Sequence, residues 1–511
     1  MLSNIKSAAL LGIDAYPVEV EVDISPGLPT FQTVGLPDAA VKESKDRVKS
    51  AITNSQFAFP IQRITVNLAP ADTKKEGPSF DLPIALGILT ASGALPAKAL
   101  EGYWMVGELS LDGKLRPIRG ALSIALAARE NGVKGLLVPP DNAKEAGVVR
   151  EVPVYPAKNL REIYEFFQGH KSLKPIQVDI EAEFRTHSVY KVDFADVKGQ
   201  EHAKRALEIG AAGGHNILLV GPPGSGKTML TKRLPTILPP LSLEEAIQTT
   251  KIHSIAGTLG RRKALVATRS FRSPHHTVSD AGLIGGGTIP KPGEVSLSHN
   301  GVLFLDEFPE FNKNVLEVLR QPLEDGSVTI ARVQSSLTFP AQFMLAAAMN
   351  PCPCGYYTDP ARDCVCGPHQ IQKYLSRISG PLLDRIDLHI EVPSLKWKEI
   401  AGDEPAESSA AIRDRVEKAR RIQRDRYQAD GIHCNSQMTP ALLKKHAVLD
   451  EPCLALLKAA MDRFGLSARA FDRILKVART IADLDGEEGI KASYIAEAIQ
   501  YRNLDRSVWK N

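Results

Sequence analysis

The sequence predicts an α/β protein in three parts: an α+β domain, a core built on a parallel sheet, and a helical domain. Strand-like and helix-like runs mix over residues 1–168, and strands alternate with helices and glycine-rich turns over 191–395. Helical periodicity dominates 396–511. Regular alternation of strand and helix is typical of a parallel sheet covered on both faces. Residues 169–190 have weak periodicity and are predicted to be a linker.

The composition is that of an ordinary globular protein. Of the 511 residues, 43% are hydrophobic and 24% are charged, and the formal net charge is +4. No apolar run approaches the roughly 18 residues that span a bilayer, and the first residues lack the layout of a signal peptide. We therefore expect a cytoplasmic protein that does not contact membranes. A net charge this small does not by itself indicate nucleic acid as a partner.

A glycine-rich loop in the second part carries the sharpest chemical signal. The apolar strand Asn216–Val220 leads into "GPPGSGKT" and then into a helix-compatible run. A loop of this spacing turns backbone N–H groups around phosphates, while its lysine reaches the β- and γ-phosphates and its threonine binds Mg²⁺. The predicted nucleotide-binding residues are Gly221, Pro222, Pro223, Gly224, Ser225, Gly226, Lys227 and Thr228.

Two further strands end in polar residues that complete this chemistry. Asp306 and Glu307 follow the apolar strand Val302–Leu305, and Asn350 ends the strand "FMLAAAMN". A carboxylate beside a phosphate loop holds Mg²⁺, and a second one polarises the attacking water. An amide at the next strand end can orient that water. We therefore predict that Asp306 binds the metal, Glu307 acts on water and Asn350 lies near the γ-phosphate.

Several arginines are candidates for stabilising the charge that develops during phosphoryl transfer. Arg385 lies between Asp384 and Asp387 in "RISGPLLDRIDLHIEV", where a pairing within the subunit is the simplest account. An arginine finger reaching a neighbouring subunit is the alternative. The chemistry of the residues alone leaves the choice open among Arg377, Arg385, Arg469 and Arg473.

A cysteine cluster follows the strand that ends in Asn350. In a reducing compartment, clustered cysteines favour metal binding over disulfides, and four thiolates complete a closed tetrahedral Zn²⁺ site. The one-residue gaps within each pair are tighter than usual, so unliganded thiols and redox disulfides stay open as alternatives. The predicted zinc ligands are Cys352, Cys354, Cys364 and Cys366.

Long strings of the sequence resemble the AAA+ ATPases, and among them the ComM/YifB family of magnesium-chelatase-like proteins. They include "DFADVKGQEHAKRALEIG", "FRSPHHTVSDAGLIGGGTIPKPGEVSLSHNGVLFLDEFPEF" and "SRISGPLLDRIDLHIEVP". The resemblance implies a homo-hexameric, ATP-driven DNA motor with a helical lid. ComM-type members are described as branch-migration helicases that help to integrate single-stranded DNA during natural transformation. On that pattern Asn350 matches sensor 1, Arg385 the finger acting in trans and Arg469 sensor 2, with Asp196 to Gln200 beside the adenine.

The first domain resembles the S5-type fold of the Lon protease domain. "KKEGPSFDLPIALGIL" matches the segment of the Lon nucleophile, with Ser79 at the serine position. "GKLRPIRGALSIALAARENGVKGLLVP" matches the segment of the Lon lysine, but Leu122 stands where that lysine is expected. A serine hydroxyl is a weak nucleophile without a neighbouring base. We therefore predict a domain without peptidase activity that serves as a scaffold or a DNA-contacting collar.

Two glycine- and proline-punctuated stretches between the nucleotide motifs resemble the pore hairpins of MCM-like motors. They are "GLIGGGTIPKPGEVSLSHNG" and "GSVTIARVQSSLTFPAQF", the second with its turn near Gln334–Ser336. In a ring, Lys291 and Arg332 on these hairpins would contact DNA phosphates. Two other functions remain: a chelatase-type motor that inserts metal into a porphyrin, and a protein-remodelling ATPase that does not act on nucleic acid.

Overall fold

The structure is a computed structural model that describes residues 1–260, 263–287, 290–332, 335–357, 359, 362–394 and 406–502. The chain forms two compact units. The first contains Met1–His187 together with Leu243–Ala267, and the second contains Ser188–Ser242 together with the chain from Thr268 onwards. Residues 243–267 fall within the predicted core segment 191–395, whereas their contacts lie in the first unit. The predicted linker, 169–190, contains a helix, Ile180–His187.

The first unit is built on a seven-stranded mixed sheet in the order β3-β4-β2-β1-β5-β8-β9. Antiparallel pairing joins β1 to β2 and β2 to β4, and the other neighbours are parallel. The strands of this unit, with the small hairpin β6–β7, are β1 (Leu2–Leu11), β2 (Asp14–Ser25), β3 (Thr30–Val34), β4 (Arg63–Ala69), β5 (Tyr103–Met105), β6 (Glu108–Leu109), β7 (Leu115–Arg116), β8 (Gly135–Val138) and β9 (Val154–Pro156).

Helices cover both faces of this sheet, and each face has its own core. The helices are α1 (Ala39–Lys42), α2 (Ser44–Asn54), α3 (Asp81–Ala91), α4 (Ala97–Leu100), α5 (Ala121–Glu130), α6 (Ala143–Ala146), α7 (Leu160–Phe167), α8 (Ile180–His187) and α11 (Leu243–Ala256). All eleven residues of α3 are buried, because this helix packs between the sheet and α2. Alternate residues of β2, from Val18 to Ile24, face the same core.

The segment from the middle of the chain is fastened to the first unit by a buried carboxylate. Glu145 of α6 accepts hydrogen bonds from Ser254 Oγ of α11 at 2.5 Å and from the backbone N–H of Leu122 at 2.9 Å. Ala264 and Leu265 lie in the core around α5. Leu122, which stands at the position of the Lon lysine, is fully buried in that core.

The second unit is built on a five-stranded sheet in the order β11-β14-β17-β10-β18, and all its neighbouring strands are parallel. These strands are β10 (Ile217–Val220), β11 (Phe271–Arg272), β14 (Val302–Leu305), β17 (Met344–Met349) and β18 (Leu388–Glu391). Every residue of β10, β14 and β17 is buried. Because the strands are parallel, the residues that follow them meet at one edge of the sheet.

The helices of the second unit pack around this sheet, and the C-terminal helices share its core. Residues from β10, β17 and β18 lie in one apolar cluster with residues of the C-terminal helices. The helices are α9 (Glu201–Gly213), α10 (Lys227–Ile237), α12 (Asp280–Ile284), α13 (Glu294–Leu297), α14 (Lys313–Glu317), α15 (Arg320–Asp325), α16 (Pro368–Leu375), α17 (Gly380–Leu383), α18 (Ser409–Arg426), α19 (Pro440–His446), α20 (Glu451–Phe464), α21 (Ala468–Leu484) and α22 (Ala492–Gln500).

Two antiparallel hairpins lie in the segments where pore hairpins were predicted. The strands β12 (Gly285–Gly286) and β13 (Lys291–Pro292) form one, and β15 (Ser327–Arg332) and β16 (Ser335–Pro340) form the other. The hairpins contact each other, since a Cβ at Gly285 would lie 2.9 Å from Ile330 Cδ1. Lys291 is exposed. Arg332 ends β15, but its side chain lies outside the described part of the structure.

Within the residues described here, none of the helices combines the length and the apolar character that crossing a membrane requires.

Candidate nucleotide site and cysteine cluster

The glycine-rich loop joins β10 to the N-terminus of α10, as the sequence predicts for a phosphate loop. Gly224 and Gly226 have φ angles of 78° and 91°, a region that side-chain-bearing residues rarely adopt. Gly221 lies so close to the next strand that a Cβ would be 2.1 Å from the carbonyl oxygen of Val392. The Ser225 hydroxyl is buried and has no hydrogen-bond partner among the described residues. The glycine backbone and the unpartnered Ser225 hydroxyl make this loop suitable for a polyphosphate.

Lys227 is the first residue of α10, and its ammonium group turns back over the loop. Its Nζ donates to the carbonyl oxygens of Gly221 and Pro222 at 2.8 and 2.9 Å, and to Asn350 Oδ1 at 3.3 Å. Burial lowers the pKa of Lys227, and Asp306 opposes that shift. All three acceptors are neutral oxygens, so a negatively charged phosphate oxygen can replace them as a stronger partner of the ammonium group.

Thr228 and the acidic pair meet where β10 and β14 end. The Thr228 hydroxyl donates to Asp306 Oδ2 at 2.7 Å. The backbone of Glu307 is left-handed, with a φ of 52°. Its backbone N–H donates to Asp306 Oδ1 at 3.0 Å. Thr228 and Asp306 therefore offer adjacent oxygens to a divalent cation, and oxygen ligands are those that Mg²⁺ prefers.

Asn350 follows β17, which lies between β10 and β14 in the sheet. Its amide oxygen therefore contacts the phosphate-loop lysine, and the structure brings together Lys227, Thr228, Asp306 and Asn350. Gln200 lies at the same edge, where its side-chain amide donates to the carbonyl oxygens of Ser225 at 3.3 Å and Pro393 at 2.8 Å.

His276 contacts the candidate catalytic glutamate, a pairing that the sequence analysis missed. Its Nδ1 lies 3.1 Å from Glu307 Oε2, and the ring of His275 lies beside it with the centroids 4.1 Å apart. No local signal in the sequence indicates this pairing, which arises because β11 lies beside β14 in the sheet and the residues that follow the two strands therefore meet.

Arg385 is buried and paired within its own chain. Its Nη2 contacts Glu324 Oε1 of α15, its Nη1 donates to the carbonyl oxygen of Pro381 at 2.6 Å, and its Nε has no partner among the described residues. It lines a surface cleft of about 570 Å³ that is bounded by α15 and β15. The structure thus places Arg385 at a cleft and away from its own phosphate loop.

The other arginines have different surroundings. Arg469 is 66% exposed, and its Nη1 lies 3.6 Å from Oδ2 of Asp384, the residue before Arg385. Arg377 pairs with Glu310, three residues beyond Glu307, at 2.5 Å. Arg473 and His215 contact the fully buried Asp387 at 2.7 and 3.2 Å. Burial would raise the pKa of Asp387, but Arg473 and His215 overcome this and hold it well below its usual range.

The four clustered cysteines converge. Their sulfur atoms all lie within 4.8 Å of one another, and the closest pairs are 3.3 to 3.6 Å apart. Tetrahedral Zn²⁺ with bonds of about 2.3 Å separates its sulfur ligands by about 3.8 Å. Backbone N–H groups of Gly355 and Cys354 donate to the sulfurs of Cys352 and Cys366 at 3.2 and 3.4 Å. The donor set and its spacing therefore fit zinc.

The parallel sheet, phosphate loop, acidic strand end and helical C-terminal region define an AAA+ P-loop ATPase. Three family profiles match the chain: "Magnesium chelatase, subunit ChlI" over 193–400, "Subunit ChlI of Mg-chelatase" over 20–142, and "Magnesium chelatase, subunit ChlI C-terminal" over 406–502. The chain belongs to the ComM/YifB family of magnesium-chelatase-like AAA+ ATPases, as the relatives described next show.

Two relatives match along nearly the whole chain. Competence protein ComM of Haemophilus influenzae is 46% identical over 514 residues, covering 100% of this chain and 99% of the relative. Protein YifB of Salmonella typhimurium is 45% identical and covers 99% of this chain and 98% of the relative. A Lon protease of Halothermothrix orenii is 29% identical over 151 residues, which are 28% of this chain and 19% of that protease. These matches confirm the predicted family and fold class, including the partial resemblance to Lon protease.

Membership of this family implies ATP and Mg²⁺ as the ligands of the nucleotide site. The phosphate loop fits the triphosphate through its backbone N–H groups and Lys227, while Thr228 and Asp306 fit the metal ion.

Proposed function

We propose that this protein is an ATP-driven DNA translocase that works as a homo-hexamer in the cytoplasm and promotes branch migration. Its task would be to integrate incoming single-stranded DNA during natural transformation. The observation that carries the proposal is the juxtaposition, in one compact unit, of an ATPase site and two contacting hairpins, one of which exposes Lys291. The full-length similarity to a protein named a competence protein supports it.

Each residue of the site has a role in hydrolysis on this proposal. Backbone N–H groups of the phosphate loop and Lys227 bind the β- and γ-phosphates of ATP. Thr228 and Asp306 hold Mg²⁺, which when bound neutralises charge on the phosphates. Glu307 accepts a proton from the attacking water, and Asn350 orients that water. His276 contacts Glu307 in this structure and must release it before the carboxylate can face the water.

Arg385 and Arg469 act on charge that develops on the γ-phosphate. We propose that Arg385 reaches the nucleotide of a neighbouring subunit and that Arg469 acts from the lid, as the family pattern implies. The cleft beside Arg385 supports this assignment, because it leaves the guanidinium next to open surface at which another subunit can bind. Structural Zn²⁺ at the four cysteines completes the proposed cofactors.

The first unit would serve as a scaffold or a DNA-contacting collar without peptidase activity. Leu122 is buried and offers no base, and Ser79 is only partly buried. The first unit resembles the Lon protease domain, but the aliphatic Leu122 stands where Lon has its lysine.

A direct assay of the proposed function compares ATP hydrolysis without DNA, with single-stranded DNA and with forked DNA. We expect DNA to bind and to stimulate turnover at modest salt, and Lys227→Ala to remove both basal and stimulated hydrolysis. DNA that neither binds nor stimulates would contradict the translocase and would favour the alternative, a chelatase-like motor that acts on protein or inserts metal.

Lys291→Ala tests the first hairpin. We expect DNA affinity to fall for all sequences, because a lysine that contacts phosphate contributes through charge alone. The dependence of log affinity on log salt should become shallower by about one unit for each subunit in contact. The measurement is fluorescence anisotropy over a salt series. Lys418→Ala, which removes an exposed lysine of α18, is the matched control and should leave the slope unchanged. Equal slopes for wild type and Lys291→Ala would exclude this contact.

A further inference from the structure

The cysteine loop contacts the nucleotide site through one glycine. Gly355 is buried and has a φ angle of 89°. A Cβ at this position would lie 2.5 Å from Cδ of Pro223 in the phosphate loop and 3.8 Å from Cγ of Asn350. Such a close approach of backbone to ring requires glycine. The cysteine loop therefore supports the phosphate loop and the residue after β17 at the same point.

Asn350 is also supported from the far end of the cysteine loop. The backbone of Asn350 lies close enough to the hydroxyl of the buried Tyr374 in α16 to oppose the rise in the pKa of that hydroxyl that burial causes. Cys352 and Cys354 follow Asn350 closely, and Cys364 and Cys366 directly precede α16. The sulfur cluster thus closes the loop at the place where both of its ends reach Asn350.

Among the described residues of this loop, apolar packing is sparse. Val365, between two of the cysteines, is 84% exposed, and Tyr357 is 41% exposed. Cys352 is buried, whereas Cys354, Cys364 and Cys366 are only partly buried. Neutral thiols are weak hydrogen-bond donors and acceptors, so their contacts with one another stabilise a loop poorly. A cation bound by four thiolates would supply the missing constraint.

We propose that Zn²⁺ bound by the four cysteines holds Gly355 against Pro223 and Asn350, so that occupancy of the metal site sets the affinity of the nucleotide site for ATP. The inference rests on the proposed function in one respect, which is that the phosphate loop binds ATP. When the metal is lost, the loop relaxes, and Pro223 and Asn350 lose a neighbour. The N–H groups and Lys227 are then less well placed for the phosphates, and the rest of the fold remains.

The first test measures zinc and ATP binding separately. Protein purified without chelators should contain about one zinc per chain by elemental analysis. Cys354→Ser and Cys366→Ser should lose the zinc and bind a fluorescent ATP analogue about tenfold more weakly, because small displacements of phosphate-binding groups are costly. Cys434→Ser alters a buried cysteine outside the cluster and is the matched control, expected to keep both zinc and affinity. Well under one zinc per chain in the wild type would overturn the proposal.

Two measurements guard against variants that fold poorly. A zinc-selective chelator applied to the wild type should weaken ATP binding about as much as the serine substitutions do, and added zinc should restore it. Gly355→Ala should also weaken ATP binding, since its Cβ collides with Pro223 while all four thiols remain. Wild-type ATP affinity after zinc removal, or in Gly355→Ala, would overturn the proposal. None of these measurements contains DNA, so a failure of the DNA function would be recognised separately.

Discussion

Glu307→Gln is expected to lower ATP hydrolysis by about 10²–10⁴-fold while leaving ATP binding close to that of the wild type. An amide cannot take a proton from water, yet it has nearly the same size as the carboxylate. The Mg²⁺ ligands Thr228 and Asp306 are untouched, so the nucleotide should still bind. Steady-state phosphate release gives the rate, and anisotropy of a fluorescent ATP analogue gives the affinity.

Two further variants show whether the loss is specific. Glu310→Gln makes the same change at an exposed neighbour three residues away and should retain hydrolysis. Lys227→Ala should lose binding as well as hydrolysis, which distinguishes a phosphate ligand from a base. A Glu307→Gln protein that hydrolyses ATP within a few-fold of the wild type would assign the base to another residue.

Arg385→Ala is expected to lower hydrolysis by about 10³–10⁵-fold, the effect of losing an arginine finger. The finger acts on a neighbour, so subunits carrying Arg385→Ala keep a working phosphate loop. Subunits carrying Lys227→Ala keep a working arginine. Mixed rings of the two variants should therefore recover hydrolysis at interfaces where the intact residues meet, and a titration of mixing ratios measures this. Absence of recovery at every ratio would count against action in trans.

Glu324→Gln is the control that this structure suggests for Arg385. If Arg385 served only to pair with Glu324 within the chain, removing either partner would have similar consequences. Glu324 is 57% exposed although Arg385 is buried, and the glutamine amide oxygen can still accept a hydrogen bond from Arg385, so the substitution should cost little stability. A finger predicts instead that Glu324→Gln keeps its hydrolysis while Arg385→Ala does not. Equal losses in both variants would assign Arg385 a structural role.

Much of the candidate nucleotide site was predictable because its chemistry is encoded locally. The loop Gly221–Thr228 and the pair Asp306–Glu307 are contiguous, and buried strands precede them. Parallel strands then bring their following residues to one edge, so proximity of Lys227, Asp306 and Asn350 follows from sheet type. The α/β fold class was predictable for the same reason, since alternating strand and helix periods are visible in single segments.

The contacts that were not predictable join residues whose local sequence carries no sign of the partner. Glu307 and His276 meet only because β11 lies beside β14, and strand order is not visible in a single segment. Arg385 lies between Asp384 and Asp387 in the sequence, which indicated a pairing within the subunit as one alternative, yet its carboxylate partner is Glu324. The cysteine spacing predicted a metal site, but the contact of Gly355 with Pro223 depends on how the loop turns.

The assignment of residues 243–267 to the first unit has a practical consequence for dissecting the protein. Cutting the chain near residue 187 would separate Glu145 from Ser254 and the core around α5 from Ala264 and Leu265. An N-terminal fragment would then expose the apolar surface that Ala264 and Leu265 cover, and Glu145 would lack the hydrogen bond from Ser254. A C-terminal fragment would carry α11 without the core against which it packs, and its exposed apolar residues would promote aggregation. Fragments that respect this interleaving must supply both pieces, for example by co-expression or by a circularly permuted chain.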